Sequence, residues 1–258
     1  MVKKYKRKTR KTRRKRTQIQ RGGSANSAMV ILEPRNHPKL KAILENAHTN
    51  MPPEWHLYVF HGEDPLTAAA AEAAVANIRQ SRKVFLKSIG LNNMTPTDYN
   101  QKFQTKEFWN QVDAENILVF QTDSILCGKR NINDFIKYDY IGCPLNDSYG
   151  VKTPWPGPNE KLFYGTGGLS FRHKSFMLKC IDKYGNTGLA EDVLFSKCVH
   201  ESPPERRPES SETLHQFCTQ KGLPKFNQPS FGVHKLSDVE SKDIVPLFEF
   251  CPDAKLLQ

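Results

Sequence analysis

Four places in this chain combine residue types that can do chemistry. The first is Asn116-Ile-Leu-Val-Phe-Gln-Thr-Asp-Ser124, where a short apolar run stops at polar residues. Ile117 to Phe120 is β-branched and aromatic, which reads as a buried strand. Ligands in open α/β sheets bind just outside the carboxyl ends of strands, so Asp123 stands where a sheet offers a carboxylate to a ligand or a metal. A plain turn cap accounts for Asp123 equally well. The second is Glu191-Asp192, which opens the apolar segment Val193-Leu-Phe195. A carboxylate pair on one turn can supply a general base, one acid held by neighbours and the other free. Capping of a helix start against its dipole is the plainer use. The third is Tyr164-Gly-Thr-Gly-Gly-Leu-Ser-Phe-Arg172, whose glycines let backbone approach a ligand closely or take positive φ. The fourth is Phe231-Gly-Val-His-Lys235, which brings His234.

The elements that must position these residues alternate. Met29-Val-Ile-Leu32 reads as a first strand, ending at the polar loop Glu33-Pro-Arg-Asn-His-Pro38. Leu40, Ile43, Leu44 and Ala47 follow at helical spacing. Trp55 to Phe60 is a second strand, Ala68 to about Arg79 a helix by propensity, and Val84 to Leu86 a third strand. Asn92 to Val112 is less regular, with Thr97 or Asp98 as a helix cap and Phe103, Phe108 and Trp109 as anchors. Tyr99 and Lys106 read as core and surface before ligand contacts, and His37, His56 and His61 as structural. After Ser124 come a short helix over Ile132–Ile136 and a strand over Tyr138–Pro144. Residues 146–160 form a long Pro- and Gly-rich loop carrying Trp155. Helices follow at Ser175–Ile181, at Leu189–Phe195 and from a Ser210 or Ser211 cap through Phe217 to Lys221; residues beyond Lys235 read as a short tail. This alternation predicts a mixed α/β fold with a doubly wound sheet flanked by helices.

A chain of 258 residues accommodates one large α/β domain or two small ones. The charge is concentrated: residues 1–21 hold twelve of the 38 Lys and Arg and no Asp or Glu, which leaves 26 basic against 27 acidic residues elsewhere. The high pI therefore belongs to residues 1–27, expected to be a disordered basic tail ahead of a single domain over 28–258. Such a tail binds nucleic acid or another anionic surface through phosphate contacts. No apolar run reaches the length of a membrane span and no secretory signal is visible, so the expectation is cytoplasmic, with a nuclear or virion-associated location open because of the tail. The six cysteines show no Cys-x-x-Cys spacing, and free thiols in a reducing compartment are expected.

The order strand-QTDS, YDYIG, GTGGLSFR, EDV, FGVHK resembles a little-characterised family grouped with the glycosyltransferases of the GT-A fold. The resemblance covers roughly Val30 to Lys235. It implies a GT-A-like domain that moves a sugar from a nucleotide-sugar donor to a glycan, protein or other hydroxyl acceptor. In such enzymes an acidic DxD motif binds Mn²⁺ or Mg²⁺ and the diphosphate. Here Gln121-Thr122-Asp123 takes that place, with Gln121 departing from the pattern. The resemblance makes Asp123 and His234 the metal ligands, and Gln121, Thr122, Asp123, Ser124, Glu33 and Arg35 the donor-binding set. Gly165, Thr166, Gly167 and Gly168 with Trp155 form the acceptor-side loop. Asp192 is the base of an inverting transfer, with Glu191 as its catalytic neighbour. The basic tail is similar to those on proteins of large DNA viruses. A non-catalytic binding protein on the same scaffold is the other reading, favoured by Gln121.

Overall fold

A computed structural model describes residues 26–144, 163–185, 187–221 and 229–258. The tail expected over residues 1–27 lies almost wholly outside them, as do Trp155 and its loop; Ser27 already belongs to the first strand. The main sheet has six strands in the order β3-β2-β1-β4-β7-β6. These are β1 (Ser27–Glu33), β2 (His56–His61), β3 (Val84–Ser88), β4 (Asn116–Phe120), β6 (Tyr140–Cys143) and β7 (Thr166–His173). β1 to β4 run parallel. β7 is antiparallel to β4 and to β6.

Every residue of β1 is buried, because both faces of the sheet are covered. Side chains alternate across the strand: Met29 and Ile31 enter one core, Ala28, Val30 and Leu32 the other. The first core is closed by α1 (Leu40–Asn50) and α2 (Pro65–Val75), through Ile43, Leu44, Ala71 and Val75. The second is closed by α3 (Pro96–Phe103), α4 (Lys106–Trp109), α5 (Lys174–Tyr184) and α6 (Glu191–Val199). Phe103, Phe108, Trp109, Met177 and Phe195 fill it.

A second sheet of three short strands, in the order β5-β9-β8, comprises β5 (Ser124–Leu126), β8 (Cys218–Thr219) and β9 (Gly232–His234). β5 starts just beyond the end of β4. Its pairing with β9 sets Ser124 opposite His234 and so brings His234 beside Asp123.

Several expectations need correction. The cap of α3 is Thr95, in a reciprocal capping box with Asp98. Lys106, by contrast, is at the surface as expected, paired with Asp182. α7 (Ser211–Phe217), capped by Ser210, stops at Phe217 because Cys218 turns extended to join β9. The residues after Lys235 are no tail: α8 (Ser241–Phe250) and a 3₁₀ turn bury Leu247, Cys251 and Ala254. The cysteines are not free thiols. Cys127–Cys251, Cys143–Cys218 and Cys180–Cys198 are disulfides with Cα separations of 4.8, 4.7 and 5.9 Å. Absence of Cys-x-x-Cys excludes only local motifs; these pairs are joined by tertiary packing across as many as 124 residues of sequence.

Candidate active site

β1 crosses over to β2 and β3 on one side, and β4 lies on its other side, so the strand order reverses between β1 and β4. A crevice opens at the carboxyl ends of two such strands. Here it is a cavity of about 570 Å³. Glu33 and Arg35 reach it from β1, Gln121, Thr122 and Asp123 from β4, Thr166, Gly167 and Gly168 from β7, Glu191 and Asp192 from α6, and His234 from β9. Ser124 and Gly165 do not line it. The Ser124 hydroxyl donates to the Gly168 carbonyl at 2.9 Å, and the Gly165 carbonyl accepts from the Tyr140 hydroxyl at 2.9 Å.

Thr166, Gly167 and Gly168 lie on strand β7 rather than in a loop, with Gly165 just before it. Its glycines serve close packing. A Cβ at Gly167 would stand 1.9 Å from Glu191 Oε1, and one at Gly168 would stand 2.1 Å from His234 Nε2. The missing side chains let the two functional elements meet the strand at backbone distance.

Glu33 is buried and its carboxylate is fully used. It accepts from Arg35 Nε at 2.8 Å, Arg35 Nη2 at 2.9 Å, the Arg35 amide at 3.0 Å and Thr122 Oγ1 at 3.2 Å. It therefore acts by holding Arg35, whose guanidinium remains largely exposed at the cavity mouth with its pKa raised by the bonds to Glu33. Asp123 is half-exposed, but its Oδ1 is buried, 3.4 Å from His234 Nε2. Burial pushes the Asp123 carboxyl up; the His234 imidazole and the Lys235 ammonium outweigh this and hold it below its ordinary value.

Glu191 and Asp192 divide their work. Glu191 Oε1 accepts from Arg172 Nη2 at 3.0 Å in a fully buried ion pair. The Arg172 guanidinium is surrounded by the rings of Phe103, Trp109, Tyr140 and Phe195. Burial pushes the Glu191 carboxyl up to about 7 despite this partner. Asp192 accepts from the Val193 amide at 2.7 Å and the Gly167 amide at 3.3 Å. Burial raises its pKa, and these amides oppose the rise. Neither acid caps α6 in the usual way; the Glu191 amide donates to Asn100 Oδ1 at 3.1 Å.

A divalent cation, which the resemblance implies, would have to be held by Asp123 and His234 at one corner of this cavity. Asp123 Oδ1 and His234 Nε2 are both buried there, 3.4 Å apart, and face each other. Among the described residues no group of three or more His, Cys, Asp or Glu assembles around it. Two side chains alone give weak, exchangeable binding that needs further oxygens from a ligand.

Tyr99, Asn100, His37 and Lys235 also line the cavity. The capping signal at Thr95 could have placed the helix carrying Tyr99 and Asn100. No local pattern marked Lys235, the one non-glycine residue with positive φ among those described.

A six-stranded mixed sheet clad by helices, with a polar crevice at its switch point, is the fold of the GT-A-like glycosyltransferases. Residues 83–234 match the sequence profile of a family described as "Protein of unknown function (DUF5672)", and the chain belongs to that family. No curated protein matches it in sequence. Among solved structures, the WbbM bifunctional glycosyltransferase in its apo form superposes with a TM-score of 0.51 at 5% identity, over 90% of this chain and 51% of that one. The mannosyltransferase PcManGT from Pyrobaculum calidifontis, in complex with GDP-Man and Mn²⁺, gives 0.46 at 12% identity over 70% and 53%. Mouse xyloside xylosyltransferase 1 in its apo form gives 0.48 at 11% over 81% and 98%. The first of these likenesses is one of fold, and the two scores below 0.5 carry nothing further. This chain spans about half the length of the first two proteins. No described helix is long and apolar enough to cross a membrane.

Proposed function

We propose that this protein is a glycosyltransferase that moves a sugar from a nucleotide-sugar donor to a hydroxyl acceptor, assisted by a divalent metal and with inversion. The observation that supports this reading is the convergence of Asp123, His234, Glu191 and Asp192 on one cavity at the switch point of the sheet. Asp123 and His234 would hold Mn²⁺ or Mg²⁺, which when bound neutralises the charge of a diphosphate leaving group. Arg35 and Lys235 add positive charge near Asp123. Asp192 removes the proton from the acceptor hydroxyl as that oxygen attacks the anomeric carbon. Its two amide partners hold the carboxylate in one orientation, and attack from the face opposite the leaving group inverts the centre. Glu191, fixed by Arg172, braces the start of α6. The basic residues ahead of Ser27 would bind a polyanion, and a single domain begins with β1.

A thermal-shift screen of nucleotide sugars and nucleoside diphosphates, with and without Mn²⁺, tests the reading. A cognate ligand at a hundredfold excess over its Kd stabilises the fold by about 2.7 kcal/mol. Mn²⁺ is expected to strengthen that shift, and Asp123→Ala to abolish the strengthening. Equal binding in EDTA would remove the metal from the reading. No response to any nucleotide sugar would favour a non-catalytic binding protein, the reading that Gln121 supports.

A further inference from the structure

α3 and its C-cap residue hold the start of α6 with two side chains one turn apart. Asn100 Oδ1 accepts from the Glu191 amide at 3.1 Å, and Gln104 Nε2 donates to the Leu189 carbonyl at 2.7 Å. Ala190, at the N-cap of α6, offers no polar side chain to the first turn, and Asn100 supplies one from a neighbouring helix. The two clasping residues differ in one respect: Asn100 lines the cavity together with Asp192, and Gln104 does not.

The orientation of the Asn100 carboxamide follows from what each group can donate. A backbone N–H only donates, so the atom of Asn100 that faces Glu191 is its oxygen. Turning the amide over would set two donors against each other. Nδ2 is therefore turned away from that amide. It makes no hydrogen bond among the described residues, and it is not one of their enclosed polar atoms. Its N–H groups remain for a ligand in the cavity.

The residue before it supplies a different surface. The Tyr99 hydroxyl is buried, and its ring stacks on Phe103 with centroids 4.4 Å apart. Tyr99 thus lines the cavity with carbon atoms rather than with its hydroxyl. One wall of the cavity combines an aromatic surface, a donor-only amide group and the Asp192 carboxylate, which accepts. A serine or a lipid alcohol brings a single hydroxyl on an apolar stem and leaves the Asn100 donor unmatched. A sugar ring brings an apolar C–H face and, at its edge, neighbouring hydroxyls that each donate and accept.

We infer that Asn100 is an acceptor-binding residue whose Nδ2 donates to a hydroxyl adjacent to the one that Asp192 deprotonates, so that the acceptor is a carbohydrate with two neighbouring hydroxyls. The oxygen that gives its proton to Asp192 forms the new bond to the anomeric carbon as the bond to the diphosphate breaks; the neighbouring hydroxyl only anchors the ring. The inference rests on the transferase reading for the role of Asp192, but not for the orientation of Asn100.

The test measures nucleoside diphosphate released by the full chain from a panel of nucleotide sugars. Methyl glycosides of common hexoses, their monodeoxy counterparts and a serine-containing peptide serve as acceptors. Saturation-transfer NMR of the same glycosides, with no donor present, reports binding directly. Asn100→Asp keeps an oxygen for the Glu191 amide and removes the donor. Any effect of its charge on Asp192 falls on every acceptor alike, so the comparison between acceptors isolates the lost contact. A methyl glycoside is expected to stimulate release, and removal of one of its hydroxyls to raise KM about 3- to 10-fold, the scale of one neutral hydrogen bond. Asn100→Asp is expected to raise KM for the intact glycoside by the same factor, with a smaller change in kcat, and to be indifferent to that missing hydroxyl. Its melting temperature should stay near that of the wild type. Gln104→Leu, which loosens the clasp away from the cavity, should lower the melting temperature and keep the preference for the intact glycoside. Equal losses on all acceptors in Asn100→Asp, a preference that survives it, or release stimulated by the peptide alone overturns the inference and leaves the transferase reading standing. Glycoside binding that Asn100→Asp weakens, with no release from any nucleotide sugar, upholds the carbohydrate contact and sinks the transferase reading instead. Neither binding nor release overturns both.

Discussion

Arg172 Nη2 lies 3.0 Å from Glu191 Oε1, and both side chains are buried beneath the wall of the cavity. Arg172 stands on β7 and Glu191 is the first residue of α6, so one ion pair joins the central sheet to the helix that carries Asp192. The pair is not saturated: among the described residues Arg172 Nη1 and Glu191 Oε2 have no hydrogen-bond partner. Removing one member of a buried pair leaves an uncompensated charge. Arg172→Met is therefore expected to destabilise the fold by about 3–5 kcal/mol in urea unfolding. A loss below about 1 kcal/mol would mean that the pair is solvated and does not anchor α6.

The same pair makes stability depend on pH. The folded state holds the Glu191 carboxyl at about 7, above its ordinary value of 4.5, because burial disfavours the charged form. The folded protein thus binds this proton more tightly than the unfolded chain. That contribution to stability is fully present below pH 4.5 and is lost as pH rises through 7. Asp192 is raised by burial as well and acts in the same direction. Glu191→Gln cannot titrate. Its melting temperature, compared with wild type from pH 5 to 8, is expected to fall less steeply. Parallel curves for the two proteins would show that Glu191 titrates in solvent-like surroundings.

The parts of this molecule that were legible in its sequence are those set by continuous apolar runs. The interiors of β1, β2 and β4 are hydrophobic because both sheet faces are covered, and the polar residues at or just past their ends locate Glu33 and Asp123. The glycines of GTGG were visible as a close approach, but not what approaches: Glu191 and His234 come from residues far along the chain. β8 and β9 have two and three residues, too few for a period, so the contacts of Gln220 and His234 exist only in the folded state. Arg172 reads as a surface residue by type, since arginine is seldom fully buried without a partner. α8 is obscured by Pro246 inside it, which argues against a helix by any local rule.

The disulfides carry a prediction of their own. Cys143 is on edge strand β6, where it pairs in register with Thr166, and Cys218 begins β8, two residues before Gln220. The Cys143–Cys218 bond closes a separation of 75 residues and fastens the small sheet to the large one beside the cavity. Replacing both with serine is expected to cost about 2–5 kcal/mol, the range for removing a native disulfide from a small domain. A larger loss is expected when the wild type is melted in reductant, which opens all three bonds. Mass spectrometry of non-reduced peptides should recover the three cross-links, and six alkylatable thiols in the folded protein would refute them. Bonds of this number are characteristic of chains that fold in oxidising surroundings.

Asp192 is the sharpest assignment. Its two oxygens accept from the Gly167 and Val193 amides, which orient the carboxylate but leave each oxygen a further lone pair for a hydroxyl. Glu191 lacks that freedom, since Arg172 holds one of its oxygens. Adjacent helical residues point about 100° apart, which lets one acid brace the fold while the other faces the cavity. Asp192→Asn keeps the size of the side chain and an acceptor oxygen while removing the basic carboxylate. It is expected to lower kcat by about 10²- to 10⁴-fold, the usual contribution of general base catalysis. Affinity for the nucleoside diphosphate should stay within a few fold, because Asp123, His234 and Arg35 are untouched. Unfolding free energy should change by no more than about 1 kcal/mol, the scale of one lost helix-terminal hydrogen bond. A loss of several kcal/mol would make Asp192 a structural carboxylate, and unchanged turnover in a folded variant would move the base elsewhere, with Glu191 the first residue to test.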